Sequence, residues 1–301
     1  MVDYCVFTTL DYNYAEPSWI ALSSFREHNS NISVFIFCVN FTDEQFKWYE
    51  TATANALSNM HCVNLHPEYI DDKDFQWNIS YKDIVQGFSA KFAAMNMIKN
   101  PWMLHIDIDT VFLGSVESLL LDHEVDFLGV RSNPHYKHCN CGFFIARNLH
   151  VDYVSTYMKW FKEHAGAVYN PDEEFLVTVY SKIAYLDEKY NINGYTELPA
   201  NPVMIHYCGE IKPFLERSQE NSVCLNFNKY YSYWYNQFNK VLDMFPFTSS
   251  FTSRIRELMN KEYHPLEMSN NSILGRMILA YKCSALEPVI KYCKKRYEAS
   301  K

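Results

Sequence analysis

Asp107-Ile108-Asp109 closes an apolar run, Trp102-Met103-Leu104-His105-Ile106, and sets two carboxylates two residues apart. The run reads as a buried strand and the acids as its mouth. On a strand, residues i and i+2 face one side, so both carboxylates can aim at one point. Without a counter-charge they would repel and raise each other's pKa. A divalent cation removes that conflict, and hard oxygen ligands suit Mg²⁺ or Mn²⁺. The plainer use of so short a motif is a cap or turn after a core strand. A second segment, His206-Tyr-Cys-Gly209-Glu-Ile-Lys212-Pro-Phe214, strengthens the metal reading. A neutral imidazole can complete a carboxylate metal site. Gly209 lets the backbone turn tightly, and Lys212 can meet a phosphate as a point charge. Taken singly, His206 suits a hydrogen-bonded core position and Lys212 a solvated surface. Together with the paired acids they offer three metal ligands and a phosphate partner.

The elements that must position these groups alternate. Tyr4 to Thr9, Val34 to Val39, Met60 to Leu65 and Trp102 to Ile106 read as strands. Between them, Pro17 opens a helix running to His28, as a proline in a first turn can. Thr42-Asp-Glu-Gln45 has capping-box form and starts a helix towards Asn55. Ser89 to Lys99 is helical, with Phe92 and Met95 on one face. Strands separated by helices predict a parallel sheet in an α/β domain. Ligands of such sheets bind at the carboxyl ends of strands. Asp107 and Asp109 lie at such an end, as do Thr8, Thr9 and Asp11. Further on, Asp126–Val130, Gly142–Ala146 and Met204–Tyr207 read as strands, and Val151–His164 and Asp172–Lys182 as helices. Asn226 to Phe245 is rich in Tyr, Trp, Phe and Asn, and further helical stretches follow. Those aromatics suit core packing better than an acceptor-sugar platform.

The 301 residues, 48% of them hydrophobic, suffice for a sizeable core, and eight glycines with eleven prolines leave no long flexible linker. A net charge of −8 argues against a nucleic-acid-binding surface. The start, Met-Val-Asp-Tyr-Cys-Val-Phe, does not read as a secretory signal, and no apolar run reaches membrane-spanning length. Nine scattered cysteines suit free thiols in a reducing, cytoplasmic setting. Without secretion, the sequons at Asn31, Asn40 and Asn78 carry no meaning. Cys139-Asn-Cys141 near His135 and His138 is spaced too tightly for the usual zinc site. The basic stretch Lys291-Tyr-Cys-Lys-Lys-Arg296 predicts weak peripheral contact with anionic lipid.

Four stretches, in order, resemble glycosyltransferase family 8, which includes bacterial lipopolysaccharide galactosyl- and glucosyltransferases and glycogenin. Val6-Phe-Thr-Thr-Leu-Asp11-Tyr-Asn13-Tyr14-Ala15 is similar to the family's opening strand and nucleotide loop. Ile106-Asp-Ile-Asp-Thr-Val-Phe-Leu-Gly114 resembles its metal motif. Asn140-Cys-Gly142-Phe-Phe-Ile resembles the strand lining the donor-sugar pocket, and His206 to Phe214 resembles its His-x-x-Gly-x-x-Lys-Pro-aromatic segment. The resemblance implies a GT-A catalytic domain over residues 1–219, followed by a mainly helical extension over 220–301. It implies a metal-dependent, retaining hexosyltransferase acting from a UDP-sugar on a hydroxyl of a glycan or glycoconjugate. Asp107, Asp109 and His206 would hold Mn²⁺ or Mg²⁺. Gly209 and Lys212 would contact the phosphates. Thr8, Thr9, Asp11 and Tyr14 would surround the uridine, with Ile108 and Asn140 also on the donor side.

Two departures from the family pattern bear on catalysis. Lys91 stands where the family often has an arginine, keeping the charge and losing the fork. In Pro171-Asp172-Glu173-Glu174, Asp172 matches the family's Asp-Gln pair while Glu173 replaces the glutamine. A carboxylate there could stabilise oxocarbenium charge or act as a nucleophile. The acids equally suit a first helical turn. Two other function classes fit part of the pattern. Asp107-Ile-Asp-Thr-Val is similar to the first motif of haloacid-dehalogenase phosphatases, though it lies far from the start and lacks their glycine. A non-catalytic sugar-nucleotide binder would share the same ligands.

Overall fold

The computed structural model describes residues 3–66, 90–131, 139–164, 171–193, 198–208, 212–215 and 227–260. Strands β1 (Tyr4–Asp11), β2 (Val34–Val39), β3 (Met60–Leu65) and β4 (Trp102–Ile106) alternate with helices α1 (Ala15–His28), α2 (Asp43–Ala56) and α3 (residues 90–97). Then come β5 (Thr110–Phe112), β6 (Phe127–Arg131), β7 (Cys139–Arg147), α4 (Tyr153–His164), α5 (Pro171–Val179), β8 (Ile183–Tyr185) and β9 (Met204–His206). Helices α6 (Phe227–Val241) and α7 (Ser249–Asn260) end the described chain. Thr42 and Gln45 form the expected capping box: each side chain accepts the other's backbone N–H, at 3.2 and 2.9 Å. Pro17 falls in the first turn of α1, where its missing N–H costs nothing.

The main sheet has the order β3-β2-β1-β4-β7-β6-β8. Its pairs are parallel except on either side of β7, which runs against both β4 and β6. The parallel pairing expected of the first four strands is what the sheet shows, and the reversal falls at β7, beyond them. The connection from β6 to β7, residues 132–138, is too short for the crossover that parallel neighbours need. Reversal has a consequence for the site, because it brings the first residues of β7 to the edge where β1 and β4 end. A separate ribbon pairs β5 with β9, antiparallel, with Thr110 opposite His206.

Strand alternation divides the core between the two sheet faces. Val6, Leu10, Ile36, Leu104, Ile106 and Ile145 face α1, α6 and α7. Phe7, Phe37, Met103, Phe144 and Ala146 face α3, α4 and α5. Helix α1 is buried along most of its length, and its serines satisfy themselves by donating to carbonyls three residues back. Ser24 Oγ in turn accepts the Phe112 N–H at 3.0 Å, and Asn29 Oδ1 accepts from Val116 N at 2.9 Å. These bonds tie β5 and the turn after it to α1.

The aromatic stretch joins this core, as packing chemistry favours. Tyr230, Tyr231, Trp234 and Phe238 of α6 are buried in the α1-side cluster. The Trp234 and Phe238 rings stack at 6.0 Å, and Phe214 lies 5.7 Å from Trp234. Cys139 and Cys141 are buried thiols. His135, His138, Gly209, the Asn78 sequon and the basic stretch at 291–296 lie outside the described residues. No described helix is long and apolar enough to cross a membrane. Because Trp234 is fully buried, Trp234→Ala is expected to cost about 3–5 kcal/mol of stability. Urea denaturation should show one shifted transition covering the whole chain, not the loss of a separate one.

Candidate active site

Asp107 and Asp109 do not sit on a strand. Residues 107–109 form a bend between β4 and β5, so the two carboxylates converge at a bend in the chain and not by the alternation the motif suggested. Asp107 N donates to Gly142 O at 2.8 Å, and Thr110 Oγ1 donates to Asp107 O at 2.8 Å. These bonds fix the bend. The β5–β9 ribbon then carries His206 to the same point, and Tyr207 N donates to Asp109 O at 2.9 Å. His206 Nε2 lies 3.2 Å from Asp109 and 3.5 Å from Asp107. One ligand atom from each of the three residues falls within 4.8 Å of the others. Among the described residues this is the one such cluster of His, Cys, Asp and Glu.

Two lysines flank the acids. Lys212 pairs with Asp109, and its ammonium lies 5.7 Å from the Tyr14 ring. Lys91, on α3, is buried; its ammonium lies 3.3 Å from Asp172 and 3.9 Å from Asp107, and donates to Cys141 O at 3.1 Å. Burial opposes the charge on Lys91, yet Asp107 and Asp172 outweigh it and hold its pKa above the ordinary lysine value. Burial likewise opposes ionisation of Asp109, but Lys212 and His206 hold it below the usual carboxylate range. Asp107 goes the other way: burial pushes it up, and the neighbouring Asp109 adds to that push against the pull of Lys91.

Hydrogen-bond logic places a proton on Nδ1 of His206. Asn140 Oδ1 accepts the Gly142 N–H at 3.0 Å. A backbone N–H only donates, so that atom is the amide oxygen. His206 Nδ1 lies 2.9 Å from the same oxygen and must carry the proton. In the neutral ring Nε2 then turns a lone pair towards two carboxylates, and three electron-pair donors facing one another repel unless a cation, or a proton on Nε2, lies among them. Among the described residues, the carboxylates of Asp107, Asp109 and Asp172 have Lys91 and Lys212 as their lysine partners, and Glu173 lies beside them through Asn140. The donor set of two carboxylates and an imidazole therefore fits Mn²⁺ or Mg²⁺.

The remaining expected residues divide. Tyr14 packs its ring edge-on to Phe214 at 5.7 Å, beside Lys212. Asn140 Nδ2 donates to Glu173 Oε1 at 3.3 Å, linking the buried Glu173 to the same network. Asp11 ends β1 and caps the following turn by accepting from Asn13 N at 2.8 Å. Thr9 is half-buried on the same strand. The Thr8 hydroxyl is buried with no hydrogen-bond partner. The Ile108 side chain packs into the apolar cluster below, leaving only its backbone for a ligand.

Three residues were not singled out as site residues by type and spacing. His105 lies fully buried under Asp107, 3.6 Å away, and its Nδ1 donates to Cys141 O at 3.1 Å. Burial and then Lys91 hold its pKa well below the usual histidine value. Asn191 touches both Asn140 and His206. Gly142 sits so close to the His206 imidazole that a Cβ there would overlap the ring. Gly142→Ala is thus expected to push the imidazole off its acids. A roughly 10–100-fold loss of Mn²⁺ affinity should follow, read by the paramagnetic resonance of free Mn²⁺.

The comparisons with known proteins agree with this geometry. The model of glycosyl transferase family 8 matches residues 5–218. No curated protein matches the chain. Among solved structures, the glycosyltransferase GlyE of Streptococcus pneumoniae TIGR4 is similar with a TM-score of 0.59 at 17% identity, over 80% of this chain and 64% of that one. The galactosyltransferase LgtC, in complex with donor and acceptor sugar analogs, is similar with a TM-score of 0.62 at 14% identity, over 83% of this chain and 99% of that one. WbbM, a bifunctional glycosyltransferase, is similar at 0.58 and 14%, over 84% of this chain and 52% of that one. At these identities the solved structures speak for the fold, which is GT-A, and the family match speaks for the activity. This chain belongs to glycosyltransferase family 8.

Proposed function

We propose that the protein is a metal-dependent, retaining hexosyltransferase that takes its sugar from a UDP-sugar and passes it to a hydroxyl of a glycan or glycoconjugate. The observation that carries this reading is the convergence of Asp107, Asp109 and His206 within 4.8 Å, between the buried Lys91 and the half-buried Lys212. Family membership supports sugar transfer over the phosphatase alternative. Residues 1–219 form the proposed catalytic unit and 220–301 its helical extension.

In this reading Asp107, Asp109 and His206 hold Mn²⁺ or Mg²⁺. When bound, such an ion neutralises charge on the diphosphate. Lys212 exchanges Asp109 for a phosphate oxygen, with Gly209 beside it in the chain. Thr8, Thr9, Asp11 and Tyr14 frame the nucleotide, with the Ile108 backbone and Asn140 on the donor side. Lys91 holds Asp172 by its ion pair and adds positive charge near the leaving group. Its point charge does this without the two-pronged geometry of an arginine. Glu173, tethered by Asn140, stabilises positive charge growing at the anomeric carbon. The acceptor oxygen bonds to that carbon on the face the diphosphate leaves. As the carbon–phosphate-oxygen bond breaks, the acceptor proton passes to the departing oxygen.

Asp109→Ala is expected to abolish Mn²⁺-stimulated release of UDP from a panel of UDP-sugars supplied with candidate acceptors. Retained turnover in that variant would end the metal assignment. Glu173→Gln keeps the Asn140 contact and loses the charge, so kcat should fall on the order of 10²-fold with KM for donor little changed. Mass spectrometry of protein incubated with donor alone should find no glycosyl adduct on Glu173; an adduct would replace stabilisation with covalent catalysis.

A further inference from the structure

Asn191 lies outside the proposed ligand set, yet the orientation of that set runs through it. The Asn140 amide oxygen, identified by the Gly142 N–H, also lies 2.8 Å from Asn191 Nδ2. That contact fixes which way the Asn191 amide faces. Its own oxygen is then turned to His206 Nδ1, 3.1 Å away. The Nδ1–H of the histidine therefore meets two amide oxygens and no competing donor. Both Asn191 and His206 are buried, at 4% and 3% exposure, so water does not supply these bonds instead.

The backbone places Asn191 with equal care. It follows a short 3-10 turn, Glu188–Tyr190, and its N–H donates to Glu188 O at 3.0 Å. The next residue, Ile192, bridges to β9 in parallel with Ile205. Its N–H donates to Met204 O at 2.9 Å, and its carbonyl accepts the His206 N–H at 2.8 Å. The strand carrying the histidine is thus zipped to the segment carrying the asparagine. Their side chains meet because their backbones are already paired.

We infer that Asn191 is a positioning residue for the metal site: its amide locks Asn140 and the His206 ring so that Nε2 presents its lone pair to the cation. The inference rests on the metal reading given above. The amide is the side chain that does both jobs. Its oxygen receives the imidazole N–H while its nitrogen holds Asn140 from rotating. A carboxylate would receive the proton but release Asn140. An alanine would do neither, leaving the ring with the Asn140 oxygen as its one amide partner and with more freedom to carry a proton on Nε2, where it blocks the ligand position.

The test uses the full chain at pH 8 with two readouts. In metal-free protein labelled with ¹⁵N-histidine, long-range proton–nitrogen spectra report which ring nitrogen of His206 is protonated, with His206→Gln supplying the assignment. Wild type should show the proton on Nδ1, and Asn191→Ala should shift signal towards the other tautomer. Titration with Mn²⁺ alone, followed by the resonance of the free ion, should show affinity about 10–100-fold weaker in Asn191→Ala. Asn191→Asp, which keeps the acceptor for Nδ1 but releases Asn140, should recover part of it. Unchanged tautomer and unchanged affinity in Asn191→Ala would overturn the assignment. So would an Asn191→Asp variant as defective as the alanine, since that pattern marks mere packing. Should Asn191→Ala fail to fold, Asn191→Ser takes its place in both measurements. Failure of the underlying metal reading looks different: wild type would then bind Mn²⁺ no better than Asp109→Ala, and both claims would fall.

Discussion

A three-residue ribbon decides whether this chain has a site at all. Thr110 and His206 are almost a hundred positions apart and face each other across the β5–β9 pairing. Without that register, the paired aspartates would be a loop of acids beside a core strand. With it, an imidazole is delivered to within hydrogen-bonding distance of both carboxylates. So short a ribbon has little stability of its own. It is held because Ser24 and Asn29 of the α1 region grip β5 and the following turn, and because Ile192 adds a bridge on the other side of β9. The geometry of the acids is thus underwritten by a helix on the opposite side of the ribbon, and that helix is anchored by α6 through Gln237 and Lys240 on Glu27.

Much of this was legible in the residues. Continuous apolar runs such as Val34–Val39 and Trp102–Ile106 have only one comfortable fate, a strand covered on both faces. Thr42 and Gln45 advertise a helix start because their chemistry is local. The candidate metal cluster was legible for a different reason: acids and an imidazole near strand ends are costly unless something compensates them. What did not show was orientation. Nothing in the text of Cys139–Arg147 says that β7 runs backwards; that follows from how few residues separate it from β6. The bend at 107–109 is hard to tell from a strand mouth in the sequence, because alternation and a bend both bring two acids together. The roles of Asn191 and Gly142 beside the imidazole stayed hidden for a shared reason. One is an amide and the other an absent side chain, and their meaning exists only beside His206.

The charge pattern follows a single economy. Each buried cation has two acids within reach or one held close, and each buried acid has a donor. Lys91 bridges Asp107 and Asp172, while Asn140 connects Glu173 with His206. Groups that meet a sugar and a diphosphate in the proposed reaction are therefore wired into one network. Perturbing one member changes the hydrogen bonds of the next, so single substitutions here are expected to combine non-additively.

Lys212 folded against Asp109 has a consequence for the life of the protein before it meets any substrate. Clusters of acids usually make a chain depend on its ion in order to mature. Here the polypeptide supplies a tethered surrogate from its own sequence. In the metal-dependent reading, the folded chain awaiting its ion keeps Asp109 compensated by Lys212, and loading would be a swap of partners for that acid and not an act of assembly.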